Sequence, residues 1–320
     1  MNAAAPQVLA LAGGVGGAKL AVGLAPIVGE RLTVLVNTGD DFEHLGLHIS
    51  PDLDTVMYTL AGRANPQTGW GLAGETWTLM EQVEKLGGPT WFRLGDRDLA
   101  THALRTQWLR DGHSLTAATA KLCRAFGVST AVLPMTDDCV RTTVHSQGRT
   151  LAFQDYFVRL QCSVPVTRLS FAGAAEATFN PLLHALPRGE DGFVVVFCPS
   201  NPYLSIDPIL ALPGLRDWLK ENAASIIAVS PIVGGAAIKG PAAKIMGELG
   251  IDPSAESVAA HYRDLIDGFV IDHVDAASAD AIARSGVAVR VAQTIMRGAD
   301  ERVALARECL AFAADLADKK

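Results

Sequence analysis

The sequence predicts an α/β protein: a Rossmann-like, mostly parallel, doubly wound sheet with an inserted helical lobe and a small β-hairpin region. Two observations predict this fold. Short β-branched apolar runs alternate with helical patterns, which is typical of a parallel sheet wrapped by helices. The first apolar run also ends on a glycine-rich turn that leads directly into a helical pattern. The 320 residues, 49% of them hydrophobic, are enough for one large core or two closely packed ones.

The elements follow from the apolar pattern in chain order. Strands are predicted at residues 7–12, 32–36, 130–133, 193–197, 226–229, 268–271 and 287–291. Helices are predicted at residues 18–28, 53–60, 115–126, 276–283 and 301–316.

Residues 61–126 differ from the rest because their pattern is helical throughout and contains no strand. They hold Trp70, Trp77, Trp91 and Trp108. We therefore predict a nucleotide-binding core from residues 1–60 and 127–320 and a helical lobe over the active site from residues 61–126. Alternation between residues 139 and 157 predicts the hairpin, with its turn at 146–148.

Four glycines follow the first predicted strand, at Gly13, Gly14, Gly16 and Gly17. Glycine lets backbone N–H groups approach an anion, and the helix that follows directs its positive dipole end to the same place. The pattern predicts that these glycines bind the phosphates of a nucleotide. A tight strand-to-helix turn without a ligand is the alternative.

Neither of the best-known phosphate motifs is matched in full. A P-loop counted from Gly13 needs a second glycine where Ala18 stands and a hydroxyl where Leu20 stands. The dinucleotide fingerprint begins correctly at Gly14 but has Lys19 in place of its third glycine. An NAD-binding fold therefore stays open, with an acidic residue such as Asp40 on a ribose hydroxyl, but the motif does not support it.

Four carboxylates come soon after the second predicted strand: Asp40, Asp41, Asp52 and Asp54. The carboxyl ends of parallel strands meet at one edge of a sheet, so Asp40 and Asp41 should lie beside the glycine turn. Oxygen ligands near phosphates suit Mg²⁺. We expect Asp40 and Asp54 to be metal ligands and catalytic residues, and for Asp54 the choice between metal ligand and base stays open. Asp52, next to Pro51, is interpreted as a helix cap.

Three further loops are rich in small polar or charged residues. Residues 199–208 and 230–244 each follow a predicted strand, and residues 94–98 lie in the lobe. Ser200, Asn201 and Lys239 are candidates for binding a diphosphate. An ordinary loop is the alternative for each segment.

Composition excludes several classes of protein. The net charge of −7, without a basic block, argues against a nucleic-acid binder. The five cysteines lack Cys-x-x-Cys spacing, which favours free thiols in a reducing compartment. No apolar run reaches the ~18 residues of a membrane span. The first residues lack the basic segment of a signal peptide, so we expect a cytoplasmic protein.

Eight motifs, in this order along nearly the whole chain, resemble the 2-phospho-L-lactate transferase family. They are GGVGGAK from residue 13, NTGDD from 37, PDLDT from 51, LGDRDLATH from 94, PMTDD from 134, FQD from 153, PSNP from 199 and SPIVGG from 230.

The resemblance implies a reaction. Members of this family move a phospholactyl-type group from a guanosine diphosphate conjugate to the terminal ribityl hydroxyl of the 5-deazaflavin Fo, which releases GMP and forms a coenzyme F(420) precursor. The resemblance further implies a Rossmann-like sheet, Mg²⁺ dependence and a homodimer. It places Asp54 and Arg93 on the deazaflavin, although some members have Lys where Arg93 stands here, and the two differ in hydrogen-bond geometry.

Several alternatives stay open. The donor acid is lactate, enolpyruvate or glycerate in phosphorylated form, and no residue that reads guanine is evident. The lobe tryptophans either stack on the deazaflavin or belong to a core, and His102 and His113 are expected to be structural. The competing functions are a non-catalytic regulator of the same fold family, which binds a nucleotide sugar or dinucleotide, and an NAD-dependent oxidoreductase.

Overall fold

The computed structural model describes residues 6–187 and 192–318. The strands in these ranges are β1 (Val8–Ala12), β2 (Leu32–Val36), β3 (Phe42–His44), β4 (Leu47–Ile49), β5 (Ala131–Pro134), β6 (Arg141–Ser146), β7 (Arg149–Ala152), β8 (Arg168–Ala172), β9 (Phe193–Phe197), β10 (Ala223–Val229), β11 (Ile232–Val233), β12 (Ala236–Ala237), β13 (Gly268–Asp272) and β14 (Ala288–Ala292).

The helices in the same ranges are α1 (Gly14–Val28), α2 (Pro51–Leu60), α3 (Thr78–Lys85), α4 (Asp96–Arg110), α5 (Leu115–Ala125), α6 (Asp207–Leu210), α7 (Leu215–Asn222), α8 (Ala242–Glu248), α9 (Ala255–Tyr262), α10 (Ala279–Arg284) and α11 (Ala299–Ala317). Within the described residues, none of them combines the length and apolarity that crossing a bilayer requires.

Within the described residues, the central sheet has seven strands in the order β14-β13-β10-β9-β1-β2-β5, and all of its neighbours pair in parallel. All seven predicted strands belong to it. From β1 the chain first builds outward through β2 and β5, and then returns to the other side of β1 with β9. This is the doubly wound order, and it confirms the predicted Rossmann-like fold. The order reverses between β1 and β9, where such sheets bind their ligands.

The two faces of the sheet carry separate cores because successive side chains of a strand point to opposite sides. In β1, Val8 and Ala10 pack with α1, α2, α5 and α11. The alternate residues Leu9 and Leu11 pack with α6 to α10. All four are fully buried. The position of the sheet is therefore set from both sides.

The lobe contains α3, α4 and α5, and it shares a small core with a hairpin that was not predicted. Ile49 of β4 packs with Met80 and Leu94, so the β3–β4 hairpin joins the lobe to the acidic loop after β2. Helix α5 instead places Leu122 in the same core as Val132 of the central sheet. The domain boundaries proposed above stay a prediction.

Two local expectations are corrected or extended. The predicted helix start at Ala18 is wrong, because α1 begins at Gly14 and includes most of the glycine motif. The predicted hairpin is confirmed by the pairing of β6 with β7, and β8 adds a third strand to it. Gln147 and Gly148, with φ of 47° and 76°, form its two-residue turn.

Candidate functional site

A cleft of about 700 Å³ opens where the sheet order reverses. Its walls come from the start of α1, the first turns of α2, the lobe, and the loops after β9, β10 and β14. The predicted site residues that line it are Gly13, Gly14, Gly16, Asp40, Asp54, Arg93, Ser200, Asn201 and Lys239.

The glycine motif forms the first turn of α1, and two of its amides have partners inside the protein. Gly14, with φ of 60°, donates its N–H to Oδ1 of Asp52 at 2.7 Å. The N–H of Gly13 donates to Oγ of Ser200 at 3.2 Å, and that hydroxyl donates to the carbonyl of Gly13 at 2.8 Å. Val15 and Gly16 also lie in the first turn, where backbone N–H groups have no carbonyl partner within the helix. Their amides are the ones that can face a ligand.

Close packing explains why glycines are needed here. A Cβ on Gly16 would lie 2.2 Å from the carbonyl oxygen of Pro199, and one on Gly17 would lie 2.6 Å from Oγ of Ser200. The loop after β9 thus rests directly on α1. Gly17 is not among the residues that line the cleft within the described ranges, so its contact with a nucleotide stays a prediction.

Asp52 does not cap its own helix, so that interpretation was wrong. Its carboxylate accepts from Gly14 and, through Oδ2, from Nδ2 of Asn37 at 2.9 Å. Asn37 also donates to the carbonyl of Leu204 at 3.2 Å. Asp52 and Asn37 therefore connect the segments after β1, β2 and β9. Burial raises the pKa of Asp52 to about 6, against the opposing effect of these hydrogen bonds.

Asp40 is buried in the wall of the cleft, and its Oδ1 has no hydrogen-bond partner with good geometry among the described residues. Burial raises its pKa well above the usual range, and the charge of Asp52 adds to this effect. The side chains of Asn37 and Thr142 are near enough to oppose the shift in part. An unpartnered buried carboxylate oxygen beside a phosphate site fits a hard cation such as Mg²⁺.

Asp54 lies in a different electrostatic environment. Arg105 of α4 pairs with both carboxylate oxygens, with Nη1 3.1 Å from Oδ2 and Nη2 against Oδ1. Nδ1 of His102 is 3.7 Å from Oδ2. Burial raises the pKa of Asp54, and Arg105 is the strongest opposing influence. Asp54 lines the same cleft as Asp40, but it already has a cationic partner.

The network around Asp54 continues into the lobe and was not predicted. The hydroxyl of Tyr58 donates to Oδ1 of Asp98 at 2.6 Å, and Nε2 of His102 lies 3.3 Å from Oδ2 of the same carboxylate. Asp54, Asp98 and His102 offer ligand atoms within 4.8 Å of one another, but the guanidinium of Arg105 already supplies a positive charge there. Helical spacing of Asp98, His102 and Arg105 was the available signal.

The two polar atoms of the Asn201 side chain differ in their contacts. Its Oδ1 accepts from the amides of Tyr203 at 3.0 Å and Leu204 at 3.2 Å. Its Nδ2 is buried and has no partner among the described residues. Because Asn201 lines the cleft, this amide is a candidate donor to a ligand. Lys19, which was not predicted as a site residue, also lines the cleft.

Most of the lobe tryptophans have a face covered by a cation. Arg93 lies 4.3 Å from the ring centre of Trp77. Trp91 and Trp108 carry Arg159 and Lys121 in the same way. Trp70 instead lines the cleft and is 50% exposed.

A second aromatic surface that lines the cleft comes from the segment after β7. Phe153 and Phe157 are stacked, with ring centres 5.2 Å apart. Phe157 is 39% exposed. These rings and Trp70 are therefore available to a flat ligand.

Comparison with known proteins gives a consistent result. The family described as 2-phospho-L-lactate transferase CofD matches residues 8–303. A phosphoenolpyruvate transferase from Kitasatospora aureofaciens is 42% identical over 96% of this chain and 98% of its own length. A 2-phospho-L-lactate transferase from Methanosarcina mazei is 40% identical over 92% and 96%. The structure of a UPF0052-family protein from Bacillus halodurans shares the fold, with a TM-score of 0.60 and 14% identity over 96% of this chain and 99% of that one. The chain belongs to the 2-phospho-L-lactate transferase family.

Proposed function

We propose that this protein transfers a phosphorylated three-carbon acid from a guanosine diphosphate conjugate to the ribityl 5′-hydroxyl of Fo, which gives a coenzyme F(420)-0 type precursor and GMP. The observation that carries the proposal is a single cleft with two unlike ends. The start of α1, with the loop after β9, forms an anion-binding end, and aromatic and charged residues of the lobe line the other. Relatives named for transfer of phosphoenolpyruvate and of 2-phospho-L-lactate support it.

The nucleotide is assigned to the switch-point end of the cleft. The amides of Val15 and Gly16 lie at the positive end of α1, where a diphosphate is stabilised. Asn201 Nδ2 adds a buried donor. Ser200 acts indirectly, since its hydroxyl is bonded to Gly13 and holds the turn in place.

Asp40 would hold Mg²⁺, and Asp54, which pairs with Arg105, would be the second carboxylate. The unpartnered Oδ1 of Asp40 is the observation that fits the ion. When bound, Mg²⁺ would neutralise phosphate charge and stabilise the leaving GMP.

In the transfer, the ribityl oxygen forms a bond to the phosphorus that bears the acid, while the bond from that phosphorus to the oxygen of GMP breaks. The hydroxyl proton passes to a carboxylate oxygen of Asp54. A raised pKa suits that role, because a proton acceptor works best when its pKa approaches the working pH. Arg105 holds the carboxylate in position. The rest of the rate comes from alignment of the two substrates.

The deazaflavin is assigned to the lobe side of the cleft. Arg93, which the family resemblance puts on the deazaflavin, lines the cleft there, with its guanidinium over Trp77. Exposed faces of Trp70 and Phe157 can receive the tricyclic ring. The homodimer and the cytoplasmic location implied above remain predictions, and light scattering tests the first.

The test is turnover with Fo, Mg²⁺ and three donors side by side: the guanosine diphosphate conjugates of lactate, enolpyruvate and glycerate. We expect GMP and a phosphodiester-linked deazaflavin from at least one donor, separated by chromatography. Asp54→Asn should lose most of the rate, whereas Asp264→Asn, an exposed surface change, should not. Nucleotide binding without GMP from any donor would instead favour the regulator, and tight binding of NAD in preference to GDP would favour the oxidoreductase.

A further inference from the structure

Among the described residues, the two lysines at the nucleotide end of the cleft donate hydrogen bonds to backbone carbonyls only. Nζ of Lys19, on α1, donates to the carbonyl of Met296 at 3.1 Å. Nζ of Lys239, in the loop after β12, donates to the carbonyl of Thr68. In the part of the chain that the structure describes, neither lysine forms an ion pair; the lysine that does is Lys244, on α8.

The surroundings of Lys19 are unfavourable for a cation in the protein without ligand. Burial lowers the pKa of Lys19, and the positive charges of Arg302 and Lys239 lower it further. Lys19 stands in the second turn of α1. A half-buried lysine among like charges does little for the stability of the fold. An anion among these groups would reverse each unfavourable effect.

The geometry brings both lysines to the start of α1. Lys19 follows Val15 by one helical turn and shares its face, and long helical side chains lean toward the N-terminus. Lys239 reaches the same place from the loop after β12. A Cβ on Gly69 would lie 2.9 Å from Cγ1 of Val15 and 3.0 Å from Nζ of Lys239, so Nζ of Lys239 is close to that first turn.

We infer that Lys19 is a diphosphate-binding residue and that Lys19 and Lys239 clamp the donor diphosphate from two sides. The clamp rests on the proposed function for the identity of its ligand. Lys239 exchanges the carbonyl of Thr68 for a phosphate oxygen, and Lys19 does the same with Met296. Each exchange replaces a neutral acceptor with a charged one, so that an ion pair forms in addition to the hydrogen bond.

The experiment compares Lys19→Met, which keeps length without charge, with Lys19→Arg and Lys239→Met. Lys220→Met is the matched control, since Lys220 is exposed on α7 and outside the cleft. GDP, inorganic pyrophosphate and guanosine are titrated by calorimetry at two salt concentrations. We expect Lys19→Met to weaken GDP and pyrophosphate about 10- to 100-fold, with less salt dependence. Lys19→Arg should retain most of the affinity, and guanosine should bind all variants equally.

Thermal unfolding without ligand separates this role from a structural one. Removing a cation from repulsive surroundings should leave the Tm of Lys19→Met equal to, or above, that of the unchanged protein. A lower Tm together with unchanged GDP affinity would show that Lys19 is structural and overturn the clamp.

The titrations also separate the clamp from the proposed function. If pyrophosphate binds in a Lys19-dependent way but GDP does not bind, the clamp is supported and the guanosine donor is wrong. If GDP binds the unchanged protein and Lys19→Met equally, the clamp is wrong and the donor stands. If neither ligand binds the unchanged protein, both are wrong.

Discussion

The two ends of the cleft are built by different physical means. The nucleotide end is a backbone structure in which α1, the loop after β9 and the segment after β2 approach so closely that glycines are required. The lobe end is a side-chain structure, in which Asp54, Arg105, His102, Asp98 and Tyr58 form one buried polar network. Adding side-chain atoms should therefore disrupt the nucleotide end, whereas removing charged groups should disrupt the lobe end.

The largest expected effect is at the lobe end. Arg105→Met leaves Asp54 buried without its cationic partner, and breaking a buried pair in this way costs about 3–5 kcal/mol of unfolding free energy. Urea denaturation measures it. Arg110→Met is the control on the same helix, because the contact of that guanidinium with the carbonyl of Gly46 is exposed.

Adding Asp54→Asn to Arg105→Met should recover part of the lost stability, since no buried charge is then unpaired. Equal stability of Arg105→Met and Arg110→Met would show that the network does not hold the lobe to the core.

The next effect is at the nucleotide end. In Gly16→Ala the new Cβ would lie 2.2 Å from the carbonyl oxygen of Pro199. This is a backbone atom, so the two segments must separate. We expect a loss of about 1–3 kcal/mol in unfolding free energy and weaker GDP binding in calorimetry. Gly247→Ala is the control: it lies in α8 with open space around the Cβ position, and alanine should stabilise that helix by about 0.5–1 kcal/mol. Unaltered GDP binding by Gly16→Ala would contradict the close-packing account.

The contrast also explains what could be predicted from the sequence. Local patterns predict all seven strands of the sheet, the β6–β7 hairpin and the position of Asp40 and Gly16 in the cleft. They do so because apolar runs and glycine turns act over a few residues. The order of the strands was not predicted, because the general rules of connection leave several orders open.

Long-range partners could not be predicted in the same way. Arg105 is 51 residues from Asp54, and the sequence around Asp54 does not indicate that the two side chains pair. Asp52 looked like a cap because its own helix start was visible, whereas its partners Gly14 and Asn37 belong to other segments. Lys19 stood in a motif that matches neither of the best-known phosphate motifs in full, so the role proposed for it could be inferred only after Lys239 and Arg302 were placed beside it.

A smaller effect tests which aromatic surface serves the lobe end. Phe157→Ala removes the exposed member of the stacked pair with Phe153. A ring contact is worth about 1 kcal/mol beyond area burial, so Fo should bind about 5- to 10-fold more weakly. GDP affinity should not change. Fluorescence titration of Fo compares Phe157→Ala with Leu182→Ala, which truncates another exposed apolar side chain that lies outside the cleft. If Fo binds Phe157→Ala normally, the ring stacks elsewhere, with Trp70 the next candidate.

The smallest expected effect concerns the contact between the start of α4 and the start of α3 within the lobe. Asp96 accepts hydrogen bonds from the hydroxyl of Thr76 and from the amides of Thr78 and Leu79 at the start of α3. The Thr76 bond and these amides lower the pKa of Asp96 to about 2. Since its pKa in the unfolded chain is about 3.9, the ionised form is favoured by folding. The stabilisation is complete above about pH 5 and is lost as pH falls toward 2.

Asp96→Asn should therefore have a lower Tm than the unchanged protein at pH 6, and the difference should shrink between pH 4 and pH 2.5 in a series of thermal melts. Asp111→Asn, at the other end of α4, controls for the change in net charge. A difference that stays constant with pH would mean that Asp96 acts through shape alone. Charged groups would then contribute less to the stability of the lobe than the comparison of the two ends of the cleft predicts.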